Sequence, residues 1–250
     1  VRGIKEKKMN SNNPPLKRSP QTYARVGGLL YLAIIVLGIF TEFFIRDKLI
    51  VSGDPASTAN NIIASPLLWR IGIAGDLIMH VCDIVLMLIF YILLRPVNKN
   101  LALLAVLFNF MQSAVMVAFK LNLINALYLV GSADYLTVFD PRQLNTLMYL
   151  SIRLDGIGFG IGLIFFGFAC LIMGYLIYAS GYLPKVIGVL MQIAGTCYLI
   201  NSFALILAPK IANMIFPMIL APAFIAELSF CLWLLFKGVD VAKWNVNSNG

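Results

Sequence analysis

Asp76, His80 and Asp83 stand at i, i+4 and i+7 in an apolar segment, SPLLWRIGIAGDLIMHVCDIVLMLIFYILLRP, running from Ser65 to Pro96. At about 100° per residue, that spacing puts all three within roughly 60° of one another on a helix, as one polar stripe. Two carboxylates and an imidazole on one face are zinc-type donors, and a divalent metal there would need only one further ligand or a water. The same trio could pass a proton or a cation, because a histidine between two carboxylates is a natural relay in a low-dielectric bundle. A third reading is an interhelical clamp, in which each polar group contributes roughly 1 kcal/mol or less to helix association. The spacing D-x3-H-x2-D is not a specific signature, so the residues alone leave all three readings open.

Five further charged residues in apolar surroundings are candidates for the same cluster: Glu42, Lys120, Arg153, Asp155 and Glu227. Lys120 shares a helix face with Asn109, Gln112 and Ser113 and could pair with Asp76; the competing expectation is that it snorkels to the outer interface. Glu42 lies near the outer end of the first helix and Arg153 with Asp155 in the outer part of the fourth, where opposite charges could meet. Glu227 sits toward the inner half of the sixth, near Gln192 in depth. An ionised carboxylate near a bilayer centre costs at least ~2.5 to 3.5 kcal/mol, so these groups should face protein or trapped water. Five acids within the spans face only Lys120 and Arg153 as cations. Some must therefore be protonated, hydrogen-bonded or cation-binding.

The elements that position these residues follow from composition. The chain has 250 residues, 60% hydrophobic and 12% charged, with a mean hydropathy of +0.88, whereas soluble domains run near 25% charged. Several runs reach the ~20 apolar residues that cross a hydrocarbon core. Six spans are expected, at about 23–45, 66–94, 98–130, 141–179, 184–208 and 211–236, in one membrane domain over 23–238. Residues 1–22 read as a disordered basic cytoplasmic tail and 239–250 as a second cytoplasmic tail. VRGIKEKK before Met9 reads as an upstream extension, and the first apolar run as a retained helix, since no small-residue cleavage site follows it. Asp54 and Pro55 should open a short helix on the outer surface, and Asp140 with Pro141 should cap the fourth span. Pro217 and Pro222 predict a kink in the sixth.

A net charge of +8 would suit a nucleic-acid binder, but seven of the nineteen basic residues lie in the first twenty-five. That placement is a topology signal, not DNA binding. With an even number of spans, both termini fall on one side, whose flanks hold twelve basic residues against about five opposite. Cytoplasmic termini are expected. The four cysteines, Cys82, Cys170, Cys197 and Cys231, are isolated in apolar runs and show no paired or metal-ligand spacing. The glycine run DGIGFGIGLIFFG is not a nucleotide fingerprint, because no strand precedes it. Gly156 with Gly160, and Gly158 with Gly162, instead read as small-xxx-small pairs for close helix approach.

The strings LLRPVNKNLALLA, GLIFFGFACLIMGYLIYASGYLPKVIGVLM and FPMILAPAFIAELSFCLWLLFKGV, in that order, resemble the bacterial multi-pass membrane family catalogued as domain of unknown function 4386. The resemblance covers nearly the whole chain after about Gln21. It implies a bacterial inner-membrane protein with no established biochemical role. Members of that family often place a histidine in the glycine region of the fourth helix. This chain has none there, which weakens the metal reading.

The expected fold is an all-α integral membrane bundle of six transmembrane helices with a short external surface helix. The leading functional reading is a protein that binds or moves a small ligand, cation or proton through the buried cluster of Asp76, His80, Asp83, Lys120, Arg153, Asp155, Glu42 and Glu227. One rival is a metal-dependent intramembrane lipid hydrolase with Asp76, His80 and Asp83 as ligands to a divalent metal. Another is a structural or regulatory subunit. The lipid bilayer is the expected partner, with a small ligand or lipid in the bundle and no nucleic acid.

Overall fold

The computed structural model describes residues 19–249. Most of the expected disordered tail, residues 1–18, lies outside them. The helices are α1 (Pro20–Leu49), α2 (Pro55–Ala64), α3 (Pro66–Leu94), α4 (Lys99–Leu129), α5 (Pro141–Ser180), α6 (Lys185–Leu207), α7 (Pro209–Ile215), α8 (Met218–Phe236) and α9 (Val241–Asn249). Six of them, α1, α3, α4, α5, α6 and α8, are long and apolar enough to cross a membrane, and the described residues contain no strand. The protein is an all-α membrane bundle.

Neighbouring spans form a ring. α1 packs on α3, α3 on α4, α4 on α5, α5 on α6, α6 on α8, and α8 closes back onto α1. Successive spans run antiparallel, so one end of the bundle carries both termini and the connections at 95–98 and 181–184. We call it the terminus end, and its opposite the loop end. A core cluster including Tyr31, Phe90, Met173 and Phe230 fills the ring; Phe90 stacks on Phe230 with centroids 5.1 Å apart. A second apolar cluster, including Ile45, Ile62, Trp69, Leu123 and Met148, closes the loop end beneath α2. There the Trp69 indole donates to the Leu123 carbonyl at 3.0 Å.

Helix boundaries follow local chemistry, and several depart from the expected ones. α1 starts at Pro20, not residue 23, because the Ser19 side chain accepts from Thr22 N and Pro20 occupies the first turn. It also continues past Ile45 through a π-helical stretch, Phe40–Arg46, to Leu49. α5 is capped by Asp140 and Gln143 in a reciprocal box and ends at Gly181, whose φ of 71° suits glycine. Its 40 residues extend about 60 Å, so it stands well beyond the hydrocarbon at the loop end. The sixth span is broken, not merely kinked: α7 stops at Ile215, and Pro217, which has no N–H to continue a helix, precedes a 3-10 turn at Met218–Leu220. Residues 241–249, expected as tail, form α9, which is tied to the terminus end. Trp244 Nε1 and the Tyr182 hydroxyl both donate to the Leu93 carbonyl, at 3.0 and 2.7 Å.

Glycines set the closest approaches. Gly167 and Gly174 of α5 face Gly195 and Gly188 of α6, where an added Cβ would lie 2.6–3.0 Å from the opposing backbone carbonyl. This antiparallel pairing at seven-residue spacing brings the two helices together. The expected pairs in the glycine run divide differently. Gly158 and Gly162 do share a face, against Phe119 and Met116 of α4, whereas Gly160 meets Leu205 of α6 and Gly156 has nothing within 4 Å.

Candidate functional site

Two groups of polar side chains lie along the bundle, one near the loop end and one at mid-depth. The loop-end group begins with Asp76 of α3, 2% exposed. Lys120 of α4 reaches it at 3.3 Å and also bonds Asp155 of α5 at 3.0 Å, bridging the two carboxylates. Arg46 of α1 is the second cation, bonded to Asp76 and to Glu42, the latter at 2.9 Å. The expected first span ends at residue 45, just before Arg46. The π-helical stretch carries α1 beyond that point, and Arg46 instead turns into the bundle. Its spacing from Glu42, i to i+4, is the only sequence signal that it would be engaged.

Among the four inward-facing members, two cations meet two carboxylates. Lys120 does not snorkel: it is 7% exposed. Glu42 lies at the rim with its side chain about half exposed. Arg153 is exposed and makes no ion pair among the described residues, so Asp155 is partnered from α4 and not by its near neighbour.

The mid-depth group differs in its partners. One turn beyond Asp76, His80 is buried, and its Nε2 has no hydrogen-bond partner. Two turns beyond Asp76, Asp83 accepts from Ser113 Oγ at 2.6 Å and Asn109 Nδ2 at 2.9 Å, both on α4. Glu227 of α8 does not meet Gln192, its expected neighbour in depth. It accepts instead from the Tyr198 hydroxyl of α6, and Tyr31 of α1 faces the same carboxyl group. The Cys170 thiol of α5 is buried in the same core cluster as Tyr31 and Tyr198. Each of the six spans contributes a side chain to this inner region: Tyr31, Asp83, Asn109 with Ser113, Cys170, Tyr198 and Glu227. Among the described residues, no Lys, Arg or His nitrogen lies within 4 Å of either mid-depth carboxyl group.

Asp76, His80 and Asp83 thus face the bundle interior, but they do not gather as a ligand set. The first is held by two cations and the last by a hydroxyl and an amide, and among the described residues no group of three or more His, Cys, Asp or Glu side chains could hold a metal ion. Further buried polar atoms without partners are Asn109 Oδ1, Gln112 Oε1, Asp155 Oδ1 and Ser202 Oγ, on α4, α5 and α6. Along α3, His80 lies about 6 Å from Asp76 and about 4.5 Å from Asp83 in axial rise. The polar groups form a graded series from the loop end to mid-depth.

The family described as Domain of unknown function (DUF4386) matches residues 26–238, from the second turn of α1 to the end of α8. The chain belongs to this family. The DUF4386 match covers every residue of both polar groups, so they lie within the family's own domain. No curated protein and no solved structure matches the chain.

Proposed function

We propose that this protein takes up a proton from one side of a bacterial inner membrane and passes it through the bundle, with Asp83 and Glu227 as the exchanging groups. The observation that carries this reading is the partner set of those two side chains. Among the described residues each meets only hydroxyl or amide donors, and neither has a cation within 4 Å to compensate a permanent charge at a depth where such a charge is costly. His80 is the intermediate carrier: its unpartnered Nε2 stands between the loop-end carboxylates and Asp83 and can accept a proton from one side and release it toward the other. The Tyr198 and Tyr31 hydroxyls, which both donate and accept, continue the series beyond Asp83 to Glu227.

The loop-end group serves this reading as a clamp and mouth. Arg46, Asp76, Lys120 and Asp155 tie α1, α3, α4 and α5 together, and Glu42 offers a half-exposed carboxylate at the rim. Both termini are cytoplasmic in this proposal. The terminus end carries Arg25, Arg95, Lys99, Lys185, Lys237 and Lys243 against Asp240 alone among the described residues, a bias that holds an end inside. The rival metal-dependent lipid hydrolase has no group of three ligands among the described residues to support it. A purely structural role is favoured by the paired loop-end cluster but not by the uncompensated acids deeper in.

The test is proton uptake by vesicles containing the purified protein and an internal pH-sensitive dye, driven by a potassium diffusion potential. The expected result is uptake faster than in empty vesicles, lost in Asp83→Asn and Glu227→Gln and slowed in His80→Leu. Uptake by the parent no faster than in empty vesicles would overturn the proposal.

A further inference from the structure

The outward face of α6 carries a polar group that the ring leaves without a partner. Val189, Ile193, Thr196 and Ile200 form an exposed stripe on this helix. Beside it, the Gln192 side chain crosses Gly174 of α5, which has no Cβ to block it. The Gln192 amide makes no hydrogen bond among the described residues, and the Thr196 hydroxyl is turned back onto the Gln192 main-chain carbonyl at 2.9 Å. Gln192 lies seven residues into α6, about 10 Å along its axis, well inside the hydrocarbon layer. A groove of about 380 Å³ opens there, lined by Leu171, Val189, Gln192, Ile193, Thr196 and Cys197.

We propose that this face is the interface of a homodimer, in which α6 packs against α6 of a second copy. A primary amide has both a donor and an acceptor, so its simplest complement within a bilayer is another amide at the same depth. Two copies inserted in the same direction are related by a two-fold axis along the membrane normal. That symmetry is isologous and brings residues of equal depth together. Gln192 of each copy then donates to the Gln192 carbonyl oxygen of the other. The apolar residues around it, Val189 and Ile193, enter the facing groove and exclude lipid from the amide pair. A lipid acyl chain could fill the same groove but would leave the amide unpaired, and it is this difference that selects a second copy.

The interface is independent of proton passage, and its test reads association alone. Thr196→Cys in native membranes, treated with a mild oxidant, should give a cross-linked dimer well above the background of the four native cysteines. Val36→Cys on the lipid-facing side of α1, 55% exposed, should not. In lipid vesicles, single-molecule photobleaching should show the parent mainly as pairs, and Gln192→Leu should weaken pairing roughly tenfold while keeping the parent's melting temperature. Cross-linking of Thr196→Cys no greater than that of Val36→Cys would overturn the proposal. So would pairing of Gln192→Leu equal to that of the parent.

Discussion

The loop-end cluster and the mid-depth group both turn carboxyl groups into one bundle, but they offer them opposite company. Asp76 and Asp155 are met by Lys120 and Arg46, so charge is compensated within the cluster. Asp83 and Glu227, deeper along the same axis, are met by Ser113, Asn109 and Tyr198. In the first arrangement, attraction to the cations offsets part of the cost of taking carboxylates out of water. The second offers hydrogen bonds to either protonation state, since a hydroxyl can turn from donor to acceptor and an amide can present its oxygen. A clamp requires charges that stay in place, and a carrier requires groups whose charge can change. Depth and partner chemistry separate these roles within two turns of α3.

The largest effect should come from removing the shared cation. Lys120→Met leaves Asp76 with Arg46 alone and Asp155 with no cation, and breaking a buried pair in this way typically costs about 3–5 kcal/mol. Unfolding in detergent should show a loss of that order, and adding Asp155→Asn should recover part of it by removing the stranded charge. A loss under about 1 kcal/mol, the range of exposed pairs, would erase the contrast between the two groups. Asp83→Asn should behave differently. It keeps a hydrogen-bonding side chain against Ser113 and Asn109, so stability should change by no more than about 1 kcal/mol while proton uptake disappears. If Asp83→Asn destabilised as strongly as Lys120→Met, Asp83 would belong with the clamp.

Gly158 tests how the clamp is held. A Cβ there would run into the side chain of Phe119, the residue beside Lys120, so Gly158→Ala must push α4 away from α5. Overpacking of this kind costs about 1–3 kcal/mol, and it should also loosen the Lys120–Asp155 contact. Gly156→Ala, two residues away with nothing within 4 Å, should leave the melting temperature unchanged or slightly raised, as expected of alanine for glycine in a helix.

Apolar run length and basic flanks suffice to read the six spans from the sequence, and the i, i+4, i+7 stripe suffices to single out Asp76, His80 and Asp83. Helical periodicity also puts Asn109, Ser113 and Lys120 on one face, which is the face that meets the stripe. Other features depend on geometry that periodicity does not encode. Arg46 faces inward because α1 continues through a π-helical stretch, and nothing in FTEFFIR announces that step. Tyr31 and Tyr198 are illegible for another reason: tyrosine in an apolar helix reads as an interfacial anchor, and only the closed ring brings both to Glu227. Arg153 fails as a partner because charge proximity in sequence ignores the helix face. It stands two residues before Asp155, on a different side of α5.

The smallest effect belongs to Asp54, which supplies the reference in water for Asp83 and Glu227. Its oxygens accept from the Ser57 hydroxyl at 2.6 Å and the Ser57 N–H at 3.0 Å, a donor pair close in kind and length to the one around Asp83. Asp54 is solvated at the N-terminus of α2, and those hydrogen bonds hold its carboxyl below the ordinary value of 3.8. Because the folded-state pKa is depressed, the stabilisation of the α2 cap is fully present above that ordinary value and fades as pH falls through the lower, folded one. Hydrogen exchange at the Ser57 amide should therefore be protected at neutral pH and lose protection in acid below the usual carboxylate range. Asp54→Ala should abolish that pH dependence while leaving proton uptake and global melting close to the parent's. Should Asp54→Ala impair uptake as Asp83→Asn does, hydrogen-bonded aspartate at either depth would serve passage, and the medium would not be what distinguishes carrier from cap.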